Sequence, residues 1–153
     1  MAALENIKFF ILDMDGTIYL ENDILKGSLD FLEKAKETGR NYIFLTNNSS
    51  KNRRDYQNKL AKMNVEAKAE QIINSGEITA SYLAEQNNKK GKNIYLLGTE
   101  SLKKEMERFG HQIVNNEKNI KEKAEKVDFV VLGFDKTLTY QKLWDAHQLI
   151  LSG

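Results

Sequence analysis

Cysteine and proline are both absent from the 153 residues, and histidine occurs only twice, at His111 and His147. Without cysteine there is no disulfide, thiolate zinc site or cysteine nucleophile. Two histidines cannot build a multi-histidine metal centre. Oxygen ligands and a hard cation are what remain for metal chemistry. An excess of one charge is lacking too: 23 basic and 22 acidic side chains leave a formal net charge of +1. That balance gives no electrostatic footprint for nucleic acid or an anionic membrane. The longest apolar run near the N-terminus, Phe9 to Leu12, is cut off at once by Asp13. It is too short for a secretory signal and far too short to span a bilayer, so a cytoplasmic protein is expected. The missing proline, together with abundant lysine and asparagine, points to codon bias rather than function. With 41% hydrophobic and 29% charged residues, the composition is globular and the length suffices for one domain or two small ones.

Strand and helix signals alternate from end to end, the pattern of an α/β fold. Phe9–Leu12 reads as a short buried parallel strand. A loop from Tyr19 to Gly27 leads to a helix capped by Ser28 and closed by Gly39. Further strands are expected at Asn41–Leu45 and Gln71–Asn74, with helices at Lys51–Met63 and Gly76–Gln86. The polar segment Gln86–Gly91 is the linker candidate. Beyond it come strand Asn93–Leu97, helix Glu100–Phe109 closed by Gly110, and strand Gln112–Val114. The charged stretch Asn115–Lys126 suits a solvated helix, followed by strand Asp128–Leu132 and helix Thr139–Leu151. His111 is expected in a solvated turn, Trp144 and His147 in packing, and Arg53 and Arg54 on an exposed helix face.

Asp13-Met14-Asp15-Gly16-Thr17 stands where ligands bind in open α/β sheets, just beyond the carboxyl end of a strand. Two carboxylates one residue apart repel unless a cation or a shared proton lies between them. Gly16 lets the chain turn sharply away. The simplest chemistry for this set is Mg²⁺-assisted phosphoryl transfer with an aspartate nucleophile. A calcium loop with Gly16 at its sixth position would need a ligand at Ile11 and an acid at Asn22, and both fail. Thr46-Asn47-Asn48-Ser49 ends the next long strand; taken alone it is equally an ordinary strand-to-helix turn.

Together, Asp13-x-Asp15-Gly16-Thr17 and Phe44-Leu45-Thr46-Asn47-Asn48-Ser49 resemble the first two motifs of the haloacid dehalogenase superfamily, and most closely its class IIA phosphatases. Ile18-Tyr19 fits that class, as does Gly133-Phe134-Asp135 with Thr139-Tyr140-x-Lys142-Leu143. The resemblance implies a Rossmann-like parallel-sheet core over residues 1–88 and part of an inserted α/β class II cap over 89–153, both incomplete. It implies a Mg²⁺-dependent phosphatase acting on a small phosphorylated metabolite such as a sugar phosphate or a nucleotide. Asp13 would attack phosphorus and carry an aspartyl-phosphate intermediate. Asp15 would protonate the leaving alcohol and then activate water, and Mg²⁺ would lie on Asp13 and Asp15. Gly16, Thr17, Thr46, Asn47 and Asn48 would surround the phosphoryl group. Asp135-Lys136-Thr137 imitates the nucleophile motif of other superfamily branches, but its context fits a cap segment, with Asp135 facing the substrate.

Two further family motifs, a lysine on the phosphoryl oxygens and a later acidic pair, find no match in the sequence. The chain is therefore expected to correspond to the N-terminal portion of a phosphatase, with weak Mg²⁺ affinity, low activity and an uncovered core that favours a homo-oligomer. The alternative is a catalytically inactive relative that binds phosphate or Mg²⁺, or self-associates. A receiver-like phospho-acceptor domain is a third class, which Asp-x-Asp-Gly-Thr does not match.

Overall fold

The computed structural model describes residues 6–86, 91–116 and 119–153. Two compact units emerge: Met1–Asn47 with Arg53–Asn74, and Asn48–Asn52 with Ser75–Gly153. The expected core–cap boundary at 88–89 and the centre of the linker lie outside the described residues.

In the first unit, β1 (Phe9–Asp13) leads into a short antiparallel hairpin, β2 (Tyr19–Leu20) and β3 (Asp23–Ile24), where a plain loop was expected. Then follow α1 (Ser28–Glu37), β4 (Asn41–Thr46), α2 (Arg53–Ala61) and β5 (Ile72–Asn74), the last entered through a single 3₁₀ turn at Ala69–Gln71. The sheet is parallel in the order β1-β4-β5. Ser28 does not cap α1: it is the first helical residue and buried, and Gly27 takes the cap position at φ 87. Leu32 and Ala35 of α1 and Tyr56 and Leu60 of α2 join Met14, Tyr42, Phe44 and Ile72 in one core.

β1 is parallel, but it is not the buried strand that its apolar run suggested. Phe10 and Leu12 pack on the core, while Phe9 and Ile11, of opposite parity, are 51% and 64% exposed. Strand side chains alternate between faces, and the unit's core lies on one face only.

The second unit holds α3 (Ser75–Glu85), β6 (Asn93–Leu97), α4 (Glu100–Arg108), β7 (Gln112–Ile113), α5 (Ile120–Lys126), β8 (Phe129–Leu132) and α6 (Tyr140–Leu151). Its sheet is also parallel, in the order β7-β6-β8. β6 is covered on both faces, which explains its unbroken run Ile94-Tyr95-Leu96-Leu97. Ile94 and Leu96 pack with Ala80, Leu83, Leu102 and Met106 of α3 and α4. Tyr95 and Leu97 pack with Ala146 and Leu149 of α6. Among the described residues no helix is long and apolar enough to cross a membrane.

Three expectations in this unit are corrected. His111 is buried, not solvated, and its ring joins two elements: Nδ1 accepts from Lys92 N at 3.1 Å and Nε2 lies 2.8 Å from the Ala80 carbonyl. The Nε2–H tautomer satisfies both contacts. Trp144 and His147 do not pack in the core; both lie on the outward side of α6, because Ala146 and Leu149 occupy its buried side. His111→Ala would strand the Lys92 N–H and the Ala80 carbonyl and leave a cavity, so it should cost about 3 kcal/mol. Urea unfolding followed by the fluorescence of Trp144, the single tryptophan, measures that loss.

Candidate active site

The β1–β4 pairing sets Asp13 opposite Leu45, and the β4–β5 pairing sets Thr46 opposite Asn74. In parallel strands all three carboxyl ends then open at one end of the sheet. Asp13 closes β1, and Asp15 and Thr17 follow in a tight turn. Met14 is fully buried between the two acids, so strand alternation carries Asp13 and Asp15 to the exposed side together. The Met14 carbonyl accepts from Thr17 N (3.2 Å), Ile18 N (2.9 Å) and Tyr19 N (3.2 Å). Gly16 N donates to the Tyr19 carbonyl at 2.7 Å. Gly16 sits at φ +83, the left-handed region where a side chain is strained.

The turn therefore spends the amides of Gly16 and Thr17 on itself. The contributions left to these two residues at the site are an unobstructed backbone at Gly16, where an added Cβ would meet nothing within 4 Å, and the Thr17 hydroxyl. That hydroxyl donates to Asp13 Oδ2 at 3.3 Å. Behind the turn Tyr19 is buried, and the Lys59 ammonium lies 3.8 Å from its ring centroid. Burial, then the charges of Tyr56, Asp15 and Asp13, push the Tyr19 phenol well above its ordinary range, so it stays neutral.

At the end of β4 Thr46 is buried and Asn47 exposed. Asn48, expected beside them, belongs to the second compact unit, where its Oδ1 accepts from Ser50 N at 2.9 Å. Asn74 was not singled out from the sequence. It is fully buried and ends β5 beside Thr46. Its only signal was a polar residue terminating a short apolar strand, which is common at any sheet edge.

Asp135 lies in the second unit and its carboxylate is already occupied. Oδ1 accepts from Thr137 N (2.7 Å) and Thr137 Oγ1 (2.8 Å). Oδ2 accepts from Lys142 Nζ at 2.9 Å. The same ammonium donates to the Thr137 carbonyl (3.0 Å) and hydroxyl (2.9 Å). With its side chain 3% exposed, Asp135 ties its loop together. Burial pushes its carboxyl up, but the bonds from Lys142 and Thr137 outweigh burial and hold it below the ordinary range. Asp145 behaves alike. Burial raises it, and hydrogen bonds from Lys123 and Gln141 bring it below the usual value. Tyr95, beside that pair, is pushed up to about 12 by burial and the Asp145 charge.

The sequence profile of the haloacid dehalogenase-like hydrolases matches residues 10–112, spanning the Asp13 turn and the Thr46-Asn47 strand end. The chain belongs to that family. An acid sugar phosphatase of Staphylococcus aureus (strain USA300) is 33% identical over 140 residues, which cover 92% of this chain and 50% of the relative. The crystal structure of 4-nitrophenylphosphatase from Thermotoga maritima matches at a TM-score of 0.85 and 46% identity, over 97% of this chain and 53% of that one. A glycerol phosphate phosphatase from Mycobacterium tuberculosis, solved in complex with magnesium, matches at 0.80 and 26% identity, over 95% and 41%. This haloacid dehalogenase-like chain thus spans about half the length of the curated relatives it matches. The fold and family expected from the two motifs hold.

The Asp135 and Asp145 carboxyls titrate below their unfolded values, so the stability they contribute is present above about pH 4 and lost as pH falls through their folded values. Asp135→Asn removes one of these protonations. Its acid limb should be shallower than wild type in urea titrations run between about pH 5 and pH 2.

Proposed function

We propose that the chain carries the nucleophile and the phosphoryl-binding elements of a phosphatase acting on small phosphoric monoesters. One observation carries this: Asp13 and Asp15 are exposed together beyond β1, at the sheet end where β4 closes in Thr46-Asn47. An Asp13 carboxylate oxygen attacks phosphorus, and the ester oxygen leaves as the alcohol with a proton from Asp15. Water then adds to the aspartyl phosphate, Asp15 takes its proton, and orthophosphate departs as the Asp13 carboxylate is restored. The Thr46 hydroxyl and the Asn47 N–H hold the non-bridging oxygens, and Gly16 lets the phosphoryl group approach the backbone.

Among the described residues no three acidic or histidine side chains cluster to hold a metal by themselves. Two carboxylates completed by water and substrate phosphate fit Mg²⁺, which seldom takes an all-protein cage. Asp13 and Asp15 would hold it, and when bound it would neutralise charge on the phosphoryl oxygens. The sugar phosphatase, nitrophenylphosphatase and glycerol phosphate phosphatase relatives support the substrate class of small monoesters. They do not converge on one alcohol, and the motif residues contact only the phosphoryl end.

With no match to the family's lysine and later acidic pair, turnover by these 153 residues is expected to be slow. Hydrolysis of p-nitrophenyl phosphate with and without Mg²⁺ tests the proposal. Mg²⁺-dependent turnover should fall at least about 1000-fold in Asp13→Asn, which keeps the shape and removes the nucleophile. Turnover that survives this change would rule out the assignment of Asp13. Orthophosphate binding without turnover would favour the second function, a phosphate-binding module.

A further inference from the structure

The two acids of the turn are held by different means. Asp13 is fixed by the β1–β4 pairing, opposite Leu45. Asp15 lies beyond that pairing, and the peptide units on either side of it are both bound to one residue, Tyr19. Before Asp15, the Met14 carbonyl accepts from Tyr19 N at 3.2 Å; after it, Gly16 N donates to the Tyr19 carbonyl at 2.7 Å. Asp15 and Tyr19 also form an isolated β-bridge. Each peptide unit is planar, so fixing the two planes about Asp15 fixes the direction in which its side chain leaves the backbone. The seat of Tyr19 therefore sets the seat of Asp15.

Tyr19 is held from behind. Its side chain is buried in the same core as Tyr56 and Leu60 of α2. Lys59, between those two in sequence, is half-buried and places its ammonium 3.8 Å from the Tyr19 ring centroid. A cation there is drawn to the negative face of the ring, more strongly where water is partly excluded. The hairpin partner of Tyr19 is Ile24 of the two-residue strand β3, a pairing too short to fix the turn by itself. All of these residues belong to the first compact unit.

We infer that Lys59, acting through the Tyr19 ring, is a positioning residue for Asp15 as the acid that protonates the leaving group. The inference rests on the proposed roles of Asp13 and Asp15. Attack by Asp13 depends on β1, whereas proton delivery needs the Asp15 carboxyl within hydrogen-bond reach of the ester oxygen. A misplacement of about 1 Å can cost about 100-fold. Lys59 moves no proton itself. Esters differ in their need for that proton: p-nitrophenolate leaves readily as the anion, and phenolate does so less readily. A displaced acid therefore slows phenyl phosphate more than p-nitrophenyl phosphate, while a loss of folded protein slows both alike.

The test compares kcat/KM for these two esters, with Mg²⁺ present, in the wild-type chain and three variants. Lys59→Met should lose about tenfold on phenyl phosphate and less than about threefold on p-nitrophenyl phosphate. Lys59→Arg, which restores a cation, should stay within about twofold of wild type on both. Tyr19→Leu keeps the charge of Lys59 and removes the ring, and should show the same selective loss as Lys59→Met. A wild-type ratio of the two esters in Lys59→Met would overturn the positioning role, and the same result in Tyr19→Leu would overturn the route through the ring. If Tyr19→Leu does not fold, the Lys59→Met ratio decides alone. Wild-type cleavage of p-nitrophenyl phosphate without phenyl phosphate would remove Asp15 as the acid, and Lys59 with it. No Asp13-dependent hydrolysis of either ester by the wild-type chain would instead overturn the phosphatase reading on which the inference rests.

Discussion

Parallel pairing of β1 with β4 is the constraint on which the site depends. It fixes Asp13 opposite Leu45, so that the residues just beyond the pairing, Met14 and Thr46, emerge at the same end of the sheet. β5 adds Asn74 opposite Thr46. A one-residue slip would exchange the faces of β1, turning Asp13 inward and Met14 out. An unpaired carboxylate in an apolar core costs several kcal/mol, roughly the net stability of a small domain. The core that buries Met14, Phe44 and Leu60 is therefore also what keeps the two acids in solvent.

The second unit is built on a different kind of strand. Its central strand is buried on both faces, which makes a rigid base for the loops that leave β6 and β8. Those loops are short, begin at Gly98 and Gly133, and are tied by Thr99 and by the Lys142 cluster.

Both sheets, the parallel pairing and most element ends were legible in the sequence. The apolar runs at Phe9–Leu12, Asn41–Leu45 and Asn93–Leu97 are bounded by polar turns, and Gly39 and Gly110 stop the helices before them. Burial was less legible. Phe9–Leu12 and Ile94–Leu97 are alike as strings, yet one has a bare face and the other is covered on both sides. Local pattern fixes the strand, whereas coverage depends on where distant helices pack. His111 misled for the same reason: its neighbours Gly110 and Gln112 suggest a wet turn, but Lys92 and Ala80, 19 and 31 residues away, enclose it.

Asp13 and Asp135 make the point most sharply, because one ends a parallel strand, the other follows one, and both stand ahead of a threonine. In the first turn Gly16 adds no positive charge, and the Asp13 carboxylate remains exposed with the Thr17 hydroxyl on one oxygen. In the second, Lys142 reaches back across seven residues and places an ammonium on the acid while Thr137 supplies two donors. An attacking carboxylate needs an accessible oxygen and an electron pair not already committed to a cation at close range. Asp135 has neither, because Lys142, seven residues further along the chain, already holds it. The difference between the proposed nucleophile and the loop tie therefore resides in the α6 residue that returns to the acid, and no reading of the Asp-Lys-Thr tripeptide alone can supply it.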